Sequence, residues 1–594
     1  MPAYAQAATI YLKGNADGTA GGNDNNDGLT SENAVLTLKK ALELAEPGGT
    51  IIVAKGVSLT DSITVENVTI ERDAGFKKDL FVVGSINHTP TITIQNATID
   101  GKEIDLGLDS FSYASLFLVN GGTLQLQAGA VLKNNRSTAV SVSNDKLEMN
   151  GGEICNNYMD GNYGSAVHLQ NNLQNTQEFV MTGGSIHDNQ QTAYCGTVSV
   201  SGENATFTMQ GGSISGNTAQ YGGGVEVSNG IANLEGGTIS GNTATAGGGG
   251  VYLYTGISTP PVCNLSGTQI TGNKSPSGSG AGIYACGANL YMTGGAITNN
   301  TCGTAGAGIY AYAHEYYNNN IIEISGGTIS GNTLSNSDSG TAIAVYDDGK
   351  KYTNDVRLHG APSIQGNIYL YGARENPVSV TGALTLSPAV DIRRQKAPEA
   401  GDVLVTYAAN LTPDAAQFTA TYAKSAGLAV AVDGQNLVLD IAPAATLAPI
   451  SPGEDAGTLP ADNLPHITAP SVAQEIAAEA GERAKMAVTA VNVGTYQWYV
   501  DRGDGKGYVA LSGATSAMYE TSPVNAGNDG YKYICVVTNE HGSETSPVFT
   551  LRVLGASAVP STGDGAPLAA WVALLALSGC GAALLVGKRR RAHC

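Results

Sequence analysis

The sequence predicts an all-β chain built mainly as a right-handed parallel β-helix solenoid, and three observations predict it. An Ile or Leu followed three residues later by Asn recurs as Leu132/Asn135, Ile154/Asn157, Ile186/Asn189, Ile214/Asn217, Ile239/Asn242, Ile270/Asn273, Ile297/Asn300, Ile329/Asn332 and Ile364/Asn367. Successive pairs lie roughly 22 to 35 residues apart, the signature of one supersecondary unit stacked on copies of itself. Five residues before most of these Ile positions stands another apolar residue (Met149, Met181, Met209, Leu234, Leu265, Met292, Ile324), with Gly-Gly or a close variant between them. A short alternating strand then follows the Asn, as in Val225-Glu226-Val227, Val251-Tyr252-Leu253, Ile283-Tyr284-Ala285 and Ile309-Tyr310-Ala311.

Each repeat thus offers three short strands separated by Gly, Asn, Ser and Thr turns. Coiled on itself, such a chain places equivalent residues about 4.8 Å apart, so the apolar positions become internal ladders. The recurring Asn suits a sharp corner, because Asn tolerates left-handed backbone angles and its amide can bond to stacked neighbours. Right-handedness follows from the near-universal hand of parallel β connections.

Taken from the N-terminus, residues 1–8 contain an Ala-x-Ala without a basic start, which reads equally as a signal-peptide remnant or a frayed end. Residues 9–60 read as strand, Gly/Asn/Asp loop, helix and strand. The helix is expected over 33–45, with Leu36, Leu38, Leu42 and Leu44 apolar and Pro47-Gly48-Gly49 ending it. The runs Ile10-Tyr11-Leu12, Asp24-Asn25-Asn26-Asp27-Gly28, Leu38-Lys39-Lys40-Ala41-Leu42 and Gly49-Thr50-Ile51-Ile52-Val53 resemble the N-terminal cap of pectate-lyase-like parallel β-helix proteins. A cap is needed because the first coil otherwise exposes its core and a free edge. The solenoid is expected over 61–374, degenerate up to about 130, and residues 375–441 are expected to close its other end. Across about 120–370 the text Gly-Gly-(Ser/Thr)-Ile-x-x-Asn, followed by Gly-Gly-Gly-Val, also resembles the repeats of chlamydial polymorphic outer-membrane adhesins.

Residues 442–464 form a Pro/Ala linker. Over 465–554 the strand Tyr496-Gln497-Trp498-Tyr499-Val500 and the run Tyr533-Ile534-Cys535 resemble a bacterial immunoglobulin-like domain, with a Tyr two residues before the Cys. The first-strand cysteine of that pattern is absent; Met486 or Val488 stands near its place, so no intersheet disulfide is expected. In residues 555–594, Val559-Pro560-Ser561-Thr562-Gly563 precedes an uncharged Ala/Leu-rich run over 566–587 and then Lys588-Arg589-Arg590-Arg591. The run is long enough to span a bilayer and the basic cluster would stay cytoplasmic. In this order the three parts resemble a Gram-positive LPxTG-type sorting signal, with Val559 where that family has Leu. The resemblance implies that a sortase cysteine attacks the Thr562 carbonyl, cleaves before Gly563 and passes the acyl group to peptidoglycan. The alternative is a plain transmembrane anchor, and both place the protein outside the cell.

At 594 residues the chain holds more than one domain, and its 13% charged residues and 78 glycines fit turns and small-residue stacks. A net charge of −20 argues against nucleic acid and anionic membrane surfaces as partners. Cys155, Cys195, Cys263, Cys286 and Cys302 show no CxxC or His-paired spacing. No metal site is therefore expected, and they read as buried stackers or, for Cys286 and Cys302, a pair. Calcium in the Asp24/Asp27 loop is left open as the sole cofactor.

Three functional readings remain. Tyr252, Tyr254, Tyr284, Tyr310, Tyr312 and Tyr346 occupy outward positions of the repeating strand, with Tyr369 and Tyr371 continuing the series. As a ladder of exposed rings they suit the C–H faces of an extended glycan, as in an adhesin, or simply stabilise the stack. Against this stands a polysaccharide lyase or glycoside hydrolase. Register places His314 and Asp348 on neighbouring coils, with Glu315 and Asp347 adjacent and Lys350, Lys351, Asp355, Arg357 and His359 following; glycosidases need two carboxylates. The Asn-Thr-Asp and Gly-His-Gly runs of polygalacturonases are absent. A passive surface scaffold is the third reading.

Overall fold

The computed structural model describes residues 8–441 and 464–554, apart from 108–112, 162, 257–258, 315–316, 336–339, 427, 504–506, 512–513 and 540. The possible signal remnant, Glu315, nearly all of the linker and the whole of 555–594 therefore lie outside the described residues. Among the described residues no helix is long and apolar enough to cross a membrane. They fall into two compact units, one ending at Ile441 and one beginning at Leu464.

The first unit is a right-handed parallel β-solenoid of about 12 turns. A middle coil carries four short strands, one more than the sequence pattern suggested. Thr238–Ser240 lies on a 13-stranded isoleucine face, Thr243–Gly247 on a seven-stranded short face, Val251–Tyr254 on a tyrosine face and Val262–Leu265 on a methionine face. The extra strand starts directly after the ladder Asn and is only two to five residues long, too short to display alternation. Ile214, Ile239, Ile270 and Ile297 are in register on successive coils, as are Met181 and Met209. All are buried in one continuous core, in which Phe179 stacks on Phe207 at 4.8 Å.

The Asn column is a hydrogen-bonded rod. In each coil from Asn157 to Asn300 the backbone N–H and the amide Nδ2 both donate to the Oδ1 of the next coil's Asn; for Asn217 and Asn242 the distances are 3.0 and 2.9 Å. The left-handed residue is the one before it, contrary to the corner role expected of the ladder Asn. Asn134, Asn156, Asp188, Gly216, Gly241, Gly272, Asn299 and Gly331 have φ between 54° and 65°. The turn thereby frees the Asn to point inward. At the first Asn of the rod, Arg72 reaches in, its Nη2 3.1 Å from Asn135 Oδ1. Burial lowers the Arg72 pKa to about 10.

The N-terminal cap has strand Thr9–Lys13, helix α1 (Leu38–Ala45) and strand Thr50–Lys55. α1 starts later than expected. The Asp24 carboxylate accepts from the backbone of Leu36 and Thr37 and from the Thr37 hydroxyl, and Thr37 caps the helix. This excludes Leu36 from α1 and leaves Leu38, Ala41 and Ala45 on its buried face. In the loop where calcium was left open, Asp24 is engaged by this cap and Asp27 accepts from Leu29 N–H. At the other end, parallel stacking continues beyond residue 374, through Val378–Leu384, Val390–Arg394 and Phe418–Thr419. The antiparallel hairpin Leu428–Asp433/Asn436–Ile441 then covers Val403–Tyr407.

The second unit is also all-β. Its main sheet pairs Gln474–Glu479 in parallel with Phe549–Leu554, which continues antiparallel through Lys532–Asn539 and Thr495–Asp501 to Val509–Ala510. Trp498 and Cys535 are cross-strand partners and fully buried, in one core with Met486 and Val488. Cys286 and Cys302 are free thiols and are not paired.

Candidate functional site

The tyrosine face carries two outward columns. One runs His168, Ser199, Glu226, Tyr252, Tyr284, Tyr310, Ala344 and Tyr369; the other includes Ser228, Tyr254, Cys286, Tyr312, Tyr346 and Tyr371. Outward here does not mean exposed. Four residues before Glu226, Tyr252, Tyr284, Tyr310 and Ala344, a glycine of positive φ folds the preceding turn onto the column. A Cβ on Gly248 (φ 68°) would lie 2.7 Å from Tyr252 Cβ, and one on Gly280 (φ 63°) 2.9 Å from Tyr284 Cβ. Only glycine permits both that angle and that approach.

The rings consequently pack against each other instead of standing free, which corrects the expected exposed ladder. Tyr284 meets Tyr252 at 5.3 Å and Tyr310 at 4.8 Å, edge to face. Tyr312 stacks on Tyr346 at 5.3 Å, and Tyr346 meets Tyr371 at 5.2 Å. Tyr254 packs edge-on against Tyr317, a ring the sequence pattern did not single out because it lies in the loop between the tyrosine-face and methionine-face strands of its coil. Tyr310 is buried at 7% exposure, while Tyr252, Tyr254, Tyr284, Tyr312 and Tyr346 are half-buried. Burial pushes the Tyr252, Tyr284 and Tyr310 hydroxyls well above their usual pKa.

The expected adjacency of His314 and Asp348 is present: His314 Nε2 lies 3.8 Å from Asp348 Oδ2, and the His314 ring stacks on Tyr312 at 5.7 Å. Asp347 faces elsewhere. It is buried and accepts from Gly349 N–H (2.8 Å), Arg374 Nε (3.2 Å) and Asn376 Nδ2 (3.3 Å), so its carboxylate holds a turn. Asp355, Arg357 and His359 belong to strand Asn354–Gly360 of the methionine face, where Arg357 and His359 reach Glu323 at 3.6 and 3.3 Å. The run that looked continuous in sequence is thus divided between two faces. A short second amide ladder closes this end: Asn320 donates to Asn354 Oδ1 and to Tyr312 O, and Asn354 to Tyr346 O.

Further up the first column are two buried titratable groups that periodicity does not mark. Ser199 Oγ lies 2.7 Å from Glu226 Oε2, and burial raises the Glu226 pKa to about 7. One coil away in register with Ser199 is His168, packed under Tyr163 at 5.1 Å; burial lowers its pKa to about 4. Their neutral forms are therefore favoured inside the fold. What the face offers chemically is a band of half-buried aromatic edges and faces flanked by one His–Asp pair.

No protein family model matches this chain, and no curated protein sequence matches it.

Proposed function

We propose that this chain is a cell-wall-anchored surface protein of a Gram-positive bacterium, whose solenoid presents the tyrosine face to a glycan. One observation carries the display half of this reading: the C-terminal order of Val559-Pro560-Ser561-Thr562-Gly563, an uncharged apolar run over 566–587, and Lys588 to Arg591. The second unit serves as an immunoglobulin-like spacer, a reading supported by the Trp498/Cys535 pair on adjacent strands. For the glycan half the support is the half-buried rings of Tyr254, Tyr312 and Tyr346, which keep aromatic surface available while their neighbours fix their orientation.

The test uses the full chain in a sortase-bearing host. Muramidase should release it from the wall fraction, and Thr562→Ala should move it to the membrane or medium; unchanged wall attachment refutes the sorting reading. Purified protein is then incubated with plant and mucin polysaccharides. Tyr312→Ala and Tyr346→Ala should each weaken binding roughly tenfold, about 1.4 kcal/mol. The His314–Asp348 contact favours a second reading, a polysaccharide lyase or glycoside hydrolase. Release of unsaturated or reducing ends, lost in His314→Gln, would establish it over the adhesin.

A further inference from the structure

The expectation of no metal site rested on cysteine spacing along the chain, and the coil period defeats that argument. Cys155 on strand Glu153–Cys155 and His187 on strand Ser185–His187 are far apart in sequence but directly in register on neighbouring coils. Glu153 precedes Cys155 by two residues and shares its outward side of the isoleucine face. A strand alternates sides every residue, so a Glu-x-Cys pair projects together. His187 Nε2 lies 3.7 Å from Glu153 Oε2, and the three donor atoms all fall within 4.8 Å of one another. Around a tetrahedral zinc ion, with bonds of about 2.0–2.3 Å, donors sit roughly 3.3–3.6 Å apart. The cluster therefore needs only a small side-chain adjustment, and Glu153, half of whose side chain is in water, is free to make it.

A separate observation points the same way. Asp188 Oδ2 accepts from His187 Nδ1 at 2.8 Å. Metal-binding histidines are ordinarily held by such a carboxylate at the nitrogen that does not face the metal, which fixes the tautomer and orients the other nitrogen. Here the oriented Nε2 is the one that faces Glu153. The left-handed turn at Asp188 (φ 54°), part of the repeating corner, places that carboxylate beside the ring. The Cys155 thiol is free, and Lys133, its register partner on the preceding coil, is directed toward Asp100 at 3.8 Å.

We propose that Glu153, Cys155 and His187 form a divalent transition-metal site, suited to Zn2+, that clips two adjacent coils and leaves a fourth position to water. Mixed thiolate, imidazole and carboxylate donors select zinc over calcium or magnesium, whose ligands are oxygens. On binding, the Cys155 S–H bond breaks, its proton goes to solvent and the thiolate pair forms the metal–sulfur bond. The site lies on the isoleucine face and does not depend on glycan binding or wall attachment.

The experiment is a titration of the reduced, metal-free full chain with Zn2+ alone against a chromogenic chelator, and with Co2+ alone as a spectroscopic probe. One equivalent should bind, with a thiolate-to-cobalt charge-transfer band in the near ultraviolet. Cys155→Ser should abolish the band, whereas Cys580→Ser and Cys594→Ser should keep it. His187→Ala should weaken Zn2+ binding at least about a hundredfold, and Asp188→Asn, which leaves every ligand in place, roughly 10- to 100-fold. Glu153→Gln changes an exposed side chain, so its loss of affinity with an unaltered apo melting curve separates ligation from misfolding. Absence of a stoichiometric site, or a site unaffected by both Cys155→Ser and His187→Ala, overturns the proposal.

Discussion

The isoleucine and tyrosine faces are made by the same coils, yet they are stabilised in opposite ways. On the isoleucine side each Asn amide from Asn189 to Asn300 is saturated by the coils on either side of it. Asn242 accepts from Asn217 N–H and Nδ2, and donates to Ile214 O and Asn273 Oδ1. The tyrosine side is held by ring contacts and glycine turns, and it buries two titratable groups, Glu226 and His168, whose neutral forms burial favours. Sequence regularity marks the first kind of stability and conceals the second, because a hydrogen-bonded rod needs an identical residue in every coil. A packed aromatic face needs only shape and apolar area.

Asn242→Ala should produce the largest loss. It strands partners above and below in a dry interior, at about 1–3 kcal/mol for each unsatisfied group, and a total of about 3–5 kcal/mol is expected by denaturant melting. If it costs under about 1 kcal/mol, the rod is not a stabilising element. Tyr284→Ala should cost about 3 kcal/mol by removing a ring wedged between Tyr252 and Tyr310.

The buried titratable pair makes a prediction with opposing signs. Glu226 has its pKa raised from 4.5 to about 7, so the fold binds a proton that the unfolded chain has released. Its contribution falls as pH rises from about 4.5 to 7, by up to about 3 kcal/mol. His168 has its pKa lowered from 6.5 to about 4, so the unfolded chain takes up a proton the fold refuses, and stability rises over about pH 4 to 6.5. The two slopes nearly cancel in the wild type. Glu226→Gln should expose the rising slope and His168→Gln the falling one, read as melting temperature across pH 4–8; a flat profile in both variants contradicts the assignment. The smallest effect belongs to Tyr284→Phe. It keeps the ring and should stay within about 1 kcal/mol of wild type, which would confirm that this face rests on ring packing.

The stacking register was legible because it depends on residue type at a fixed place in the coil: Ile214 over Ile239 over Ile270, with Asn217 over Asn242 over Asn273. So was the pairing of His314 with Asp348, since counting from Ile309 and Ile343 is counting along the same ladder. Nearness in sequence carried no such register, and Arg357 and His359 lie with Glu323 on another face. The start of helix α1 was misplaced because Asp24, distant in sequence, caps it through Thr37 and Leu36. Arg72 at the Asn rod was invisible for the same reason: it is a single residue that meets Asn135 only once the coils are wound.

What the sequence by itself determined is the periodic part: all-β coils, parallel ladders, a core of Ile, Leu, Val and Met, and a stacked Asn column. Each follows from a rule that acts on neighbours along the chain or on identical positions one coil apart. Tertiary structure decided whatever depends on unlike residues meeting across coils. It buried His168 and Glu226 on a face that alternation reads as outward, turned a ladder of rings into a packed layer, and set Cys155 beside His187. The physical reason is geometric. Winding brings residues about 30 apart in sequence to within about 5 Å, and each coil's loop length, which no local pattern encodes, selects which side chains meet.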